Sequence, residues 1–221
     1  GSVVTWGDER KGGNSSHVQE QLVNVKKVCA SSWSFAALRC DGHVVTWGVD
    51  RKGGDSRSVQ SQLHHVLQLR SSSWAFAALR SDGQVITWGD PTAGGDSSQV
   101  QHKLKSICQI CACAEAFAAL NRQGSVIIWG SSLYGSIHNL CDVQRISANT
   151  RAFAALKKDG TVVAWGDRSK GGDLNSRVQA ELLDVQQICG SSWAFAALLG
   201  DKTVVTWGDP LNGGDSSAVK E

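Results

Sequence analysis

The sequence predicts an all-β repeat protein, with a β-propeller as the favoured arrangement and an open β-solenoid as the alternative. Three observations carry that expectation. A Trp-Gly pair recurs at Trp6, Trp47, Trp88, Trp129, Trp165 and Trp207, with spacings of 41, 41, 41, 36 and 42 residues. A Phe-Ala-Ala-Leu box recurs between these pairs, at Phe35, Phe76, Phe117, Phe153 and Phe195. Asp-Gly stands between box and pair at Asp41-Gly42, Asp82-Gly83 and Asp159-Gly160. A fixed period near 41 residues is the signature of stacked supersecondary units, each unable to bury its apolar faces alone.

Each element of the unit follows from local chemistry. Ala75–Arg80 and Gln84–Trp88 are runs of strand formers flanking Asp82-Gly83, and Asp-Gly in that setting signals a hairpin with a two-residue turn, which needs positive φ. A third apolar run, such as Val185–Cys189, precedes the hairpin. Three antiparallel strands per blade are therefore expected, in five complete repeats plus one extra strand at Val3–Gly7. After each Trp-Gly comes a Gly-Gly-Asp-Ser-Ser turn, then a short segment with Val100 and Leu104 at helical spacing, capped by Ser or Asp. In the box strand, Phe76 and Ala78 point to one face and Ala77 and Leu79 to the other. A sheet apolar on both faces must be covered on both, and small sheets stacked about an axis achieve this.

The units fall at about 1–24 (partial), 25–65, 66–106, 107–142, 143–184 and 185–221, making one repeat domain. The chain has no Met and begins and stops inside repeat units, so a segment of a longer or processed chain is expected. With 22 basic and 20 acidic residues the net charge is +2, too balanced to favour nucleic acid as a partner. No apolar run approaches the roughly 18 residues of a membrane span. The chain is thus not expected to be transmembrane itself, although docking on a membrane complex is compatible with it. Seven cysteines, an odd number, argue against a disulfide framework and favour a reducing, intracellular compartment. Cys29, Cys111 and Cys189 share one repeat position, read as core packing.

These residues resemble the regulator-of-chromosome-condensation repeat family. Ile188-Cys189-Gly190-Ser191-Ser192-Trp193-Ala194-Phe195-Ala196-Ala197-Leu198 aligns without gaps with that family's strand pair, and the Asp-Gly and Trp-Gly signatures match. The short unit is also similar to the bacterial propeller-type β-lactamase inhibitors and to repeat arrays of algal protists. The resemblance implies a propeller, usually seven-bladed, with partners bound by loops. The family's His and preceding Gly are replaced here by Ala194 and Ser191, and the fourth unit is five residues shorter.

Comparing copies within the chain separates what the fold fixes from what it leaves free. The position two before each Phe reads Trp33, Trp74, Glu115, Arg151 and Trp193. The four residues after each Trp-Gly also vary, supplying Arg10, Lys11, Arg51, Lys52, Tyr134, Arg168 and Lys170. Hairpin geometry puts both sets on one rim, and their composition is that of interface hot spots. These twelve residues are the candidate partner contacts. The alternative for the Trp set is packing between blades, and for the charges, solvation.

Catalytic chemistry finds no support. Cys108, Cys111 and Cys113 form Cys-x-x-Cys-x-Cys without a second ligand pair. Asp55, Asp96, Asp173 and Asp215 lack the spacing of calcium-binding rolls and suit turn capping. No nucleophile elbow, phosphate loop or His-Glu-x-x-His occurs. We therefore expect no cofactor, no metal and no enzymatic activity. The expected function is a protein-interaction scaffold, a reading that includes a subunit or domain of a larger assembly. The alternatives are nucleotide exchange on a small GTPase and a chromatin-associated role, as in better-known members of the family.

Overall fold

A computed structural model describes residues 1–134 and 140–217. It contains five separate sheets of three antiparallel strands, one per repeat, each ordered by sequence. They are β1 (Val25–Ala30), β2 (Ser34–Arg39) and β3 (Val44–Gly48); β4 (Val66–Ser71), β5 (Ala75–Arg80) and β6 (Val85–Gly89); β7 (Ile107–Ala112), β8 (Ala116–Asn121) and β9 (Val126–Gly130); β10 (Val143–Ala148), β11 (Ala152–Lys157) and β12 (Val162–Gly166); and β13 (Val185–Gly190), β14 (Ala194–Leu199) and β15 (Val204–Gly208). Two compact units form. One comprises Gly1–Ile110, Ala114–Phe117 and Trp129–Ser131; the other comprises Cys111–Cys113, Ala118–Ile128 and Ser132–Glu221.

The box strand is the middle strand of every sheet. In the first unit Ala36, Leu38 and Val44 of one sheet pack against Val66, Leu69, Phe76, Ala78, Ile86 and Trp88 of the next. In the second unit Ala154, Leu156 and Val162 meet Val185, Ile188, Phe195, Ala197, Val205 and Trp207 in the same way. The alternation read from the sequence is thus the one that stacks the sheets. Ala at both central box positions lets neighbouring sheets approach closely, while Phe and Leu fill the ends. Full burial of each such large side chain contributes about 1.5–3 kcal/mol.

Phe and Trp of each hairpin stand opposite one another, as at Phe76↔Trp88, and stack with ring centroids 5.2–5.4 Å apart. The Trp indole then reaches back to the preceding loop. Trp47, Trp88 and Trp129 donate Nε1–H to the carbonyls of Gly12, Gly53 and Gly94 at 3.0 Å, and Trp207 to Gly171 at 3.1 Å. The counterpart for Trp165 is Gly135, which lies outside the described residues.

The Gly-Gly-Asp-Ser stretch folds as the sequence indicates, into a turn and a short helical segment. The segment is a 3₁₀ turn at Ser16–Gln21, Gln60–Gln62 and Gln101–Lys103, none with the side-chain cap expected of Ser or Asp, and the helix α1 (Ser176–Glu181) in the 143–184 unit, capped by Asn175. A side-chain relay fixes it to the third strand. Thr46 Oγ1 and Ser56 Oγ are 2.9 Å apart, Ser56 donates to Gln60 Oε1 at 2.8 Å, and Gln60 donates to the Val44 carbonyl at 3.0 Å.

Three expectations need correction. Val3–Gly7 forms no strand and joins no sheet among the described residues. The hairpin turns are one residue longer than a two-residue loop. Arg39 N donates to His43 O across Cys40-Asp41-Gly42, and only the Gly takes positive φ, 82° at Gly42. Asp41 instead uses its carboxylate to accept from the His43 amide at 3.1 Å, an Asx-type turn. Finally, the repeat-position cysteines differ in burial. Cys29 is half-buried and packs against the core cluster of the next interface, Cys111 is half-buried, and Cys189 is exposed and not core. Cys29 Sγ donates to the Leu69 carbonyl and Cys111 Sγ to that of Ile146, both at 3.3 Å.

In the last hairpin the left-handed position falls to Lys202, with φ 73°. A side chain there costs about 1–2 kcal/mol. Replacing Lys202→Gly should raise the unfolding free energy by roughly 0.5–1 kcal/mol after the entropic cost of Gly in the unfolded chain. It would appear as a higher urea midpoint at unchanged slope. Gly53→Ala should act oppositely. Its Cβ would lie 2.5 Å from the Phe76 ring at φ 94°, so strain and overpacking together predict a loss of about 2–4 kcal/mol in the same titration.

Candidate partner-binding rim

The residue after each Trp-Gly hydrogen-bonds to the variable position two before Phe. Val49 N donates to Trp33 O at 3.1 Å and Asp90 N to Trp74 O at 2.9 Å; Ser131 N to Glu115 O at 2.9 Å, Asp167 N to Arg151 O at 3.0 Å and Asp209 N to Trp193 O at 3.0 Å. The two variable sets therefore sit together at one end of each hairpin. The Asp-Gly turns occupy the other end, where Val66 N bonds to Gly42 O and Val185 N to Gly160 O of the preceding turn.

The loop after Trp-Gly is a 3₁₀ turn at Glu9–Lys11, Asp50–Lys52, Pro91–Ala93, Ser132–Tyr134, Arg168–Lys170 and Pro210–Asn212. Asp8, Asp90, Asp167 and Asp209 cap it through the amide two residues on. Gly12, Gly53, Gly94, Gly171 and Gly213 end it in the left-handed conformation. Loops that vary in sequence thus share one backbone.

The Trp set is half committed to the frame. Lys11 Nζ lies 5.0 Å from the centroid of the Trp33 ring, Lys52 Nζ 4.2 Å from that of Trp74 and Lys170 Nζ 4.6 Å from that of Trp193. Each Lys comes from the loop of the preceding repeat. Lys52 also pairs with Asp90 at 2.6 Å, Lys170 pairs with Asp209, and Lys11 lies 4.0 Å from Asp8 in its own loop. Trp33 and Trp193 remain 41 % exposed, and Trp74 is half-buried. The indoles are therefore neither plugs between sheets nor freely solvated.

This pairing was visible in the sequence as covariation. Lys stands 22 or 23 residues before each Trp, and where Trp gives way to Glu115 or Arg151 the partner is Ala93 or Tyr134. Glu115 is half-buried and Arg151 exposed. Arg10 and Arg51 point to solvent, as does Arg168, which grips Asp173 at 2.6 Å. Tyr134 has to be removed from the candidate contacts. It is 3 % exposed, packed edge-on against Phe153 at 6.4 Å. A large aromatic side chain there fills the place that Lys takes in other copies.

The acidic side chains respond to these partners. Burial pushes the Asp90 carboxyl upward, but the Lys52 ammonium and the Thr92 hydroxyl and amide outweigh it, leaving the group below the usual carboxylate range. The Lys170 ammonium holds Asp209 down similarly. Asp55 and Asp96 each accept from the amide two residues on, at 2.9 and 2.8 Å. Among the described residues no group of three or more His, Cys, Asp or Glu side chains is placed to hold a metal ion.

Small three-stranded sheets, one per repeat, with the variable loops at one end of every hairpin, are the architecture of a β-propeller. The fold is that of the RCC1-type repeat propellers, in agreement with the Trp-Gly and Asp-Gly motifs. Yeast RCC1 (Prp20), in a structure with Kap60 bound, superposes with a TM-score of 0.60 at 18 % identity, covering 87 % of this chain and 57 % of that one. Human WBSCR16 gives 0.56 at 16 %, covering 85 % and 62 %. The ectodomain of the Arabidopsis thaliana receptor kinase ACR4 gives 0.56 at 16 %, covering 87 % and 69 %. The chain spans less than two thirds of the length of the first two. No protein-family model and no curated protein matches the sequence. Among the described residues no helix is long and apolar enough to cross a membrane.

The Lys–Trp contact is measurable. A double-mutant cycle of Lys52→Ala and Trp74→Ala should give a coupling of about 0.5–1 kcal/mol in chemical denaturation at pH 7. The Lys52–Asp90 pair adds a pH dependence with a definite sign. Because the folded-state carboxyl is depressed, its contribution is present above the unfolded value of about 3.9 and is lost as pH falls through the folded one. Lys52→Ala should flatten that acid limb; an unchanged limb would mean that Asp90 draws nothing from the lysine.

Proposed function

We propose that the protein is a non-enzymatic interaction scaffold that binds another protein through its loop rim. One observation supports this most directly. Side chains at the rim change freely between copies while the backbone beneath them does not, so the fold holds a fixed frame under a changing surface. Trp33 and Trp193 supply half-exposed aromatic faces, and Arg10, Arg51, Arg151 and Arg168 are exposed, each at the variable end of its own repeat. Trp and Arg are the residue types that dominate interface energetics. A pre-folded loop also loses little entropy on binding.

The comparisons support the reading at the level of the frame. Yeast RCC1 has been seen bound to Kap60, and its binding to Gsp1p and histones has been studied. Those partners belong to that protein. For this chain the partner is inferred only as a protein surface with acidic and apolar character, complementary to Arg and Trp.

The test is affinity capture from native extract with the wild-type chain and with a Trp33→Ala/Arg51→Ala variant. The variant should recover at least tenfold less of the specific partner. A Gln84→Ala/Thr161→Ala variant, altered in the Asp-Gly turns at the opposite hairpin end, should recover it normally. Equal loss in both, or accelerated nucleotide release when the chain is added to small GTPases, would overturn the reading.

A further inference from the structure

Four of the six histidines, His43, His64, His65 and His102, belong to the Asp-Gly end of the first unit, opposite the rim. Main-chain contacts join their segments into one strip. The Val66 amide donates to the Gly42 carbonyl and the Ser81 amide to the His65 carbonyl, so His65 is wedged between two successive turns. A Cβ on Gly42 would lie 3.0 Å from the His65 Cα. On the far side, Gly83 accepts from the Ile107 amide and packs against Ser106, the residue after Lys105. His102 and Lys103 stand in the 3₁₀ turn whose Gln101 donates to the Val85 carbonyl, at the head of β6.

The strip is cationic and only partly neutralised. Arg39 pairs with Asp41 at 2.7 Å and Arg80 with Asp82 at 3.0 Å. Lys103 and Lys105 are exposed and form no ion pair among the described residues. The imidazoles sit inside that field. His43 Nδ1 lies 3.4 Å from Asp41 Oδ1, and His64 packs edge-on to His65 with centroids 5.0 Å apart. Burial first, then Arg80, His65 and His43 hold His64 below the usual histidine value, against a smaller pull from Asp82. A half-buried imidazole whose neighbours oppose its proton gains most from an arriving anion. In the other unit the corresponding turns and connections hold Asp142, Asp159, Asp184 and Asp201 against as many basic side chains, and no histidine among the described residues.

We propose that this strip is a docking site for an acidic segment of a partner protein, held by its carboxylates and released as pH rises. The basic side chains set the charge of the occupant, and the acids among them set its form. Asp41 and Asp82 stand between the cations, so an unbroken row of phosphates would meet repulsion at each turn, whereas separate carboxylates bypass them. Among the described residues no Trp, Tyr or Phe is exposed at this end, which leaves nucleic-acid bases without a stacking platform. Leu67, two residues beyond His65, is 63 % exposed and offers an apolar contact beside the charges, so the segment mixes acidic and aliphatic residues. Histidine titrates near pH 6.5 in water, so the strip gains positive charge on mild acidification while the Asp and Glu side chains of the ligand stay ionised. A bound carboxylate favours the protonated imidazole, binding takes up protons, and by linkage the affinity increases as pH falls. The site uses no rim residue, so it stands or falls separately from the proposed function.

The probe is a rhodamine-labelled peptide of repeating Glu-Glu-Leu, titrated into the 221-residue chain at low salt and followed by fluorescence anisotropy. Binding should saturate, be about fivefold tighter at pH 6 than at pH 7.5, and weaken as added salt screens the charges. Lys103→Glu with Lys105→Glu should weaken it about tenfold at both pH values, since reversing exposed charges leaves the core untouched. His43→Gln with His64→Gln should bind as the wild type does at pH 7.5 and lose the gain at pH 6, a pattern that misfolding does not produce. Lys157→Glu with Lys158→Glu, in the other unit, should match the wild type throughout. The proposal is overturned if binding fails to saturate, is independent of pH, or survives the reversal of Lys103 and Lys105. It is equally overturned if single-stranded DNA or phosphatidylserine vesicles, at equal concentration of charge, bind more tightly than the peptide.

Discussion

Each described Trp-Gly strand with its counterpart loop in view is tied to the preceding repeat by one buried hydrogen bond, from the indole N–H to a glycine carbonyl. The bond dictates much of what surrounds it. For that carbonyl to face the indole, the loop must turn back through a left-handed residue pressed against the Phe ring, where a Cβ at Gly53 would collide with Phe76. The next glycine is equally constrained, since a Cβ on Gly54 would fall 2.5 Å from the main chain of Gly48. Such a bond contributes only about 1 kcal/mol net, but leaving a buried donor unmet costs about 1–3. Its value lies in excluding other loop paths. Phe, Trp and the Gly-Gly pair form one device, repeated wherever the repeat is complete.

Once that device is in place, the four residues between Trp-Gly and Gly-Gly are released from any duty except closing a 3₁₀ turn. Asp is used for the cap in most copies, and Val49 shows that the turn forms without it. The rim is thus ordered from below. Its exposed side chains can change without refolding the loop, which is the physical sense in which this frame suits recognition. Lysine adds a bond between repeats at the surface: Lys52 and Lys170 span from their own loops to the Trp and Asp of the next, sharing the ammonium between a ring face and a carboxylate, whereas Lys11 reaches across only to Trp33. Such a contact is worth less than the buried glycine bond and is sensitive to salt and pH. It trims the rim rather than holding it up.

Much of this was legible in the residues. Strand identity, hairpin order and the two-faced burial of the box strand follow from spacing and from Ala, Phe and Leu at alternate positions. The errors have separate physical causes. Asp-Gly suits a two-residue turn because both residues tolerate positive φ, yet the Asp carboxylate caps the turn from an ordinary conformation instead. Tyr134 belongs by variation between copies to the loop set, yet its ring packs beside Phe153 in a copy that lacks the Lys–Trp pair. Cys29 and Cys111 look apolar in a strand pattern, but their position faces the carbonyls of the adjoining first strand, a role Ser147 plays with an ordinary hydroxyl bond to Ile188 O at 2.9 Å. The Lys–Trp relation was written in the sequence as covariation across about 22 residues, a distance that motif reading does not span.

Burial in a repeat array belongs to pairs of repeats rather than to residues. Val28 and Leu69 occupy one position and differ from 43 % to 0 % exposure; Val204 is 45 % exposed where Val44 and Val85 are fully buried. Val204 and Val44 carry the same side chain at the head of the same Val-Val-Thr-Trp-Gly sequence. Stability in such chains is a sum of unit and nearest-neighbour terms, and an apolar residue whose neighbour is absent loses its interface term while its own sheet persists.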